Sequence, residues 1–214
     1  MTTFAVRVWV PDRPGVLGQV ASRIGAVGGD VIGIDILERG GGQAIDEFVV
    51  QFADEAPVGL LSAEIVQVDG VAIEEIRAVD PGRLDPSTAA LASVAHVIEV
   101  EPGKRLDRFA HEVYDTFECN WAAIVDLDHP SYLVELGSAP DSAWLGAFLS
   151  GARHLGPGDV EGIAMPDLAW AVLDAPGVAV AIGRERLPFR DLERHQLTLM
   201  ARIVSSLVDR SQLN

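Results

Sequence analysis

Asp12-Arg13-Pro14-Gly15-Val16-Leu17 is a stretch whose residue types and order suit the holding of a small charged ligand. Proline fits a turn or a first helical position, because its missing N–H would be unpaired there in any case. Glycine lets another group come close to the backbone. Helical spacing starts straight after, with apolar Val16, Val20, Ile24 and Val27. The first amides of such a helix, at Gly15, Val16 and Leu17, lack intrahelical acceptors and sit at the positive end of its dipole. A carboxylate suits that spot for the reason a phosphate does. The same residues also read as a plain strand–helix connection with no ligand.

The elements around this turn follow from periodicity. Phe4, Val6, Val8 and Val10 alternate as a half-buried strand leading into it. Gly28-Gly29 stops the helix. Ile32, Ile34 and Ile36, then Phe48, Val50 and Phe52, mark two strands of a hairpin turning at Gly40-Gly41-Gly42. Val58, Leu61, Ile65 and Val68 fall at helical spacing, and Asp69-Gly70 ends that helix. A last strand opens at Val71 and runs to about Val79, with a bulge expected where alternation slips at Glu74-Glu75. The order β-α-β-β-α-β predicts an α+β, ferredoxin-like fold with two helices on one face of an antiparallel sheet. The other face carries Ala5, Arg7 and Trp9 beside Asp35 and Leu37, a mixed surface expected to meet a partner.

The D-R-P-G-V-L-G turn after a first strand, followed by a helix, G-G-D and a hairpin, resembles an ACT domain over residues 4–80. ACT domains are small regulatory modules that bind amino acids, usually between two copies. In that family a residue just before the R-P-G turn and one at the start of the second strand touch the ligand. Asp12 and Asp30 stand at those positions, where serine-binding members often carry Asn. The resemblance thus implies a ligand site of Asp12, Arg13, Gly15, Val16, Leu17, Asp30 and Val31. The chemistry is coherent: an amino acid needs donors for its carboxylate, which the loop amides supply, and an acceptor for its ammonium, which Asp12 or Asp30 supplies. Each aspartate has a structural alternative, Asp12 as a helix cap and Asp30 as a turn cap.

Two prolines and a glycine in Asp80–Ser87 mark a linker, taken as residues 81–94, ahead of a second domain over 95–214. Thr88–Ala95 reads as a short helix and Val97–Val100 as an extended continuation. Leu106, Phe109, Ala110, Val113 and Phe117 make a helical stripe. Trp121–Leu127 and Tyr132–Leu136 read as strands. A helix with Asp141 or Ser142 as N-cap follows, then a hairpin around Asp174–Gly177 and a closing helix. Gly183-Arg184-Glu185-Arg186-Leu187-Pro188-Phe189 before that last helix is similar to the end of a GAF domain. That resemblance implies a GAF/PAS-like antiparallel sheet with flanking helices and a small-molecule pocket. The N-K-x-F-D-E signature of cyclic-nucleotide binders is absent. A second β-α-β-β-α unit over 97–155 is the rival fold.

Composition narrows the function. The formal net charge is −16, spread evenly over the two halves, which disfavours nucleic acid and anionic membranes as partners. Cys119 is the single cysteine, so no internal disulfide forms and a reducing cytoplasm fits. No basic segment followed by an apolar stretch opens the chain, so no signal peptide is expected. His96, His111, His129, His154 and His195 show no metal-ligand spacing, and no catalytic motif or cofactor fingerprint occurs. Trp121, Trp144 and Trp170 are expected in the core and Trp9 at an interface. The expectation is a non-catalytic, homodimeric sensor with no cofactor. It binds an amino acid or similar effector and signals through a partner protein. The alternatives are an enzyme with a C-terminal site regulated by the ACT-like module, and a ligand-free dimerising adaptor.

Overall fold

The computed structural model describes residues 1–53, 57–152, 167–173 and 177–208. The chain divides into two compact units, Met1–Asp85 and Pro86–Asn214.

The first unit runs β1 (Thr2–Pro11), α1 (Val16–Ala26), β2 (Asp30–Gly40), β3 (Gln43–Phe52), α2 (Val58–Ile65), β4 (Ala72–Val79). The sheet order is β2-β3-β1-β4 with every pair antiparallel, the ferredoxin-like arrangement. Val6, Val8 and Val10 of β1 and Phe48 and Val50 of β3 pack against Val16, Val20 and Ile24 of α1 and Leu61 and Ile65 of α2. Fully burying such a side chain contributes roughly 1.5–3 kcal/mol, so this layer dominates the unit's stability. Gly41 and Gly42 have φ of 60° and 79°, the pair of left-handed residues that a two-residue hairpin turn needs. The bulge falls at Glu74, between the Arg7–Glu75 and Val8–Ile73 pairs, and Glu74 accepts a hydrogen bond from Trp9 Nε1 at 3.2 Å.

Two sequence expectations for this unit change. Ile32, Ile34 and Ile36 are 50%, 43% and 38% exposed, whereas Leu37 is buried. Periodicity cannot tell an edge strand from a central one: β2 is an edge strand, so Ile34 and Ile36 share the face of Phe48 and Asp46 yet reach solvent, while the bulges at Val31/Gly33 and Ile36/Glu38 take Ile32 and Leu37 out of the alternation. On the second sheet face Arg7 and Glu47 form a buried ion pair. Glu47 also accepts from Arg77 at 3.3 Å and Arg83 at 2.9 Å, so one carboxylate organises three guanidinium groups.

The second unit runs α3 (Pro86–Glu99), a 3-10 turn (Pro102–Lys104), α4 (Arg105–Thr116), β5 (Trp121–Asp126), β6 (Ser131–Gly137), α5 (Ser142–Ala152), β7 (Leu168–Leu173), β8 (Val178–Gly183), α6 (Asp191–Ser205). Its antiparallel sheet has the order β6-β5-β8-β7. Helix α3 replaces most of the expected linker and the expected extended 97–100 segment. Ala90, Val94 and Val97, spaced as one helical stripe, pack into the core made with α4 and α6. That helix also excludes the rival βαββα unit beginning at 97. Leu145 and Leu149 of α5 cover the other sheet face, and β8 is buried throughout. Asp141 caps α5 through Trp144 N at 3.0 Å. Trp144 itself is 45% exposed and stacks on Phe148, contrary to its expected core position, because it lies in the exposed first turn of α5. Asp174, Ala175, Pro176 and His154 lie outside the described residues.

Arg184, first charge of the R-E-x-x-P-F segment, is a structural clasp. It donates to Phe117 O, Leu187 O, Pro188 O and Glu193, with Phe189 stacked 4.2 Å below its guanidinium. Gly183 next to it faces the Trp121 ring, and a Cβ there would stand 2.1 Å from Trp121 Nε1. Gly183→Ala is therefore expected to destabilise this unit by about 1–3 kcal/mol, read as a lower Tm by calorimetry.

Candidate functional site

Helix α1 begins without a side-chain cap. Its N-cap is Gly15 at φ 88°, a conformation that favours glycine, and Asp12 makes no capping bond. The turn is held by the backbone instead: Asp12 N donates to Gly42 O at 3.0 Å and Arg13 N to Pro11 O at 2.8 Å. The first α1 amide with a backbone acceptor is that of Gln19, on Gly15 O at 3.1 Å. Among the described residues, the amides of Gly15, Val16 and Leu17 have no backbone acceptor. A Cβ built on Gly15 would meet nothing within 4 Å, so the corner is open.

That corner is one side of a cavity of about 400 Å³. Residues Val10 to Gly18 line it from the β1–α1 turn, Ala44 and Asp46 from β3, and Arg39 from β2. The turn therefore brings Asp12, Arg13, Gly15, Val16 and Leu17 to one site. Asp30 and Val31 are not part of it. Asp30 pairs with Gln51, which pairs with Thr3 at the start of β1, whereas the turn follows the end of β1. At ~3.3 Å per residue the two ends of β1 are roughly 25 Å apart, so one chain cannot join Asp30 to the Asp12 turn.

Asp46 and Arg39 were missing from the sequence-derived set. Asp46 pairs with Val8 on β1 and Ile36 on β2, which puts it on the helix-covered face among apolar neighbours. It is 2% exposed and its Oδ1 has no hydrogen-bond partner. Burial pushes its carboxyl up to about 6, and Asp12 adds to that while Arg39 opposes it. The signal was available in the sequence. Phe48, Val50 and Phe52 alternate inward, and the same parity extended backward lands on Asp46 and Ala44.

The arrangement offers unpaired amides, two arginines, a rim carboxylate at Asp12 and a buried carboxylate at Asp46, beside the apolar surfaces of Val10, Val16 and Leu17. Such a set can bind a small molecule carrying both charges and an apolar part. It contains no nucleophile paired with a base. Cys119 lies in the other unit, buried, with its thiol pushed up to about 12 mainly by burial, and is unreactive in that state. Among the described residues no group of His, Cys, Asp and Glu side chains is arranged to hold a metal ion. No helix of the described residues is long and apolar enough to cross a membrane.

No family model matches this chain, and no curated protein matches it. Among solved structures it is similar to the C-terminal domain of the MgtC protein from Mycobacterium tuberculosis, at 19% identity and a TM-score of 0.33, over 40% of this chain and 95% of that one. It is similar also to an unknown protein from Galdieria sulphuraria, at 13% identity and a TM-score of 0.33, over 86% of this chain and 98% of that one. At those TM-scores neither likeness bears on function.

Proposed function

We propose that this chain is a non-catalytic, cytoplasmic regulatory protein. Its N-terminal unit works as an ACT-like module that binds an amino acid or similar small zwitterion at the β1–α1 turn. It acts as a homodimer, its GAF-like second unit contributes a docking or second sensing surface, and a partner protein reads the ligand-bound state.

The observation that supports this most is the open cavity at the start of α1, with unpaired backbone amides on one wall and a buried carboxylate on another. Amides at a helix start favour a carboxylate, and an aspartate kept from water favours a cation. An amino acid carries the two charges a few bonds apart.

Isothermal calorimetry of the full chain against each of the twenty amino acids tests the reading. Saturable heat from at least one of them at or below millimolar concentration is expected. Absence of heat from all twenty at millimolar ligand would defeat it.

A further inference from the structure

Resting on that reading of the cavity, we infer that Asp46 on β3 is the group that receives the ligand's ammonium, so that the site selects α-amino acids against carboxylic acids of the same shape that lack the amine. The resemblance-derived positions were Asp12 and Asp30. Asp30 is at the far end of the sheet, and Asp12 is exposed at the rim, where water competes for any cation it holds.

Asp46 differs from both. Its side chain lines the cavity, is almost wholly removed from solvent, and has an Oδ1 without a partner. Buried carboxylate oxygens are nearly always hydrogen-bonded, so an orphaned one on a residue that lines a cavity marks the place of a missing donor. The charged groups that act on it are Arg39 from β2 and Asp12 from the turn. On the strands Val8 and Ile36 flank it, and α1 contributes Val16 and Leu17 to the same cavity, so Asp46 and the exposed Asp12 are the two carboxylates among the cavity's lining residues.

Orientation follows from the two walls. An amino acid enters with its ammonium toward Asp46 and leaves its carboxylate at the amides of Gly15, Val16 and Leu17, on the same turn as Arg13. A 2-oxo acid or 2-hydroxy acid satisfies the second wall alone. It leaves the Asp46 charge buried against a neutral group, which is the kind of mismatch that a polar site rejects most strongly.

Two arms of one calorimetric experiment on the full chain test this. In the first, the amino acid giving the largest heat is compared with its 2-oxo and 2-hydroxy analogues. A loss of tenfold or more in affinity is expected for both, and equal binding of either would overturn the assignment. In the second, Asp46→Asn and Asp12→Asn are titrated with the same amino acid. Asp46→Asn is expected to lose tenfold or more and Asp12→Asn less than threefold; the reverse order would overturn the assignment while leaving the cavity as the binding site. Asp46→Asn removes a buried charge and keeps the shape, so its circular dichroism and Tm are expected to report a folded protein. No binding of any amino acid by the wild type would remove the cavity reading and this assignment together.

Discussion

Replacing Glu47 by alanine is expected to cost the N-terminal unit about 3–5 kcal/mol, the usual result of removing one member of a buried ion pair. The carboxylate is 2% exposed and takes hydrogen bonds from Arg7, Arg77 and Arg83. Deleting it leaves Arg7, itself 3% exposed, beside two further positive charges with no anion at the centre. Hydrogen exchange of β1 and β3 amides in the full chain isolates this unit's opening free energy from that of the second unit. Burial alone would push the Glu47 carboxyl up, but Arg77, Arg7 and Arg83 together bring it below its ordinary value of 4.5. The folded state thus holds that proton more weakly than the unfolded chain does. The stabilisation is complete above pH 4.5 and is lost as pH falls through the lower folded value. The gap between wild type and Glu47→Gln is accordingly expected to close in acid. A gap that stays constant from pH 7 to pH 3 would show that the ion cluster is not its source.

The site and its scaffold were legible in the sequence to different depths. Pro14 and Gly15 punctuate the chain strongly, so the turn, the helix after it and the βαββαβ order could be read from local chemistry. Asp46 could not be read that way. A charged residue in a strand reads as solvent-facing unless its parity is tracked, and here Asp46 shares the inward parity of Phe48 and Val50. A polar residue on an apolar stripe is a local conflict, and such conflicts concentrate at functional sites. The distance of Asp30 from the turn within one chain was hidden for a different reason: it depends on which end of β2 lies near the turn, and only strand pairing settles that. Thr88–Ala95 reads as a short helix in the sequence, but the full extent of that helix, Pro86–Glu99, is hidden by its flanks. Asp80, Pro81 and Gly82 do form a turn, with Asp80 Oδ1 accepting from Gly82 N at 2.6 Å, but Pro86 then opens a helix and does not continue a linker.

Asp46→Asn is expected to make the empty protein more stable at neutral pH, which is the opposite of what a structural aspartate would do. Burial raises the Asp46 carboxyl from 3.8 to about 6, so the folded state binds this proton more tightly than the unfolded chain. Stability therefore falls as pH rises from about 4 to about 6 and stays lower above that range. The asparagine variant carries no such term. The two proteins should be matched near pH 4 and separate as the pH rises. The full separation corresponds to about 3 kcal/mol, and the cavity's access to solvent reduces it to on the order of 1–2 kcal/mol at pH 7. Added amino acid closes the gap. Ligand at 100 times the wild-type Kd stabilises the wild type by about 2.7 kcal/mol, and a variant that binds tenfold more weakly gains about 1.4 kcal/mol. Thermal unfolding of both proteins at pH 4 and pH 7, with and without the amino acid that binds, gives the whole pattern. A variant less stable than wild type at pH 7 in the absence of ligand would mean that Asp46 serves the fold, and its unpaired oxygen would no longer point to a ligand.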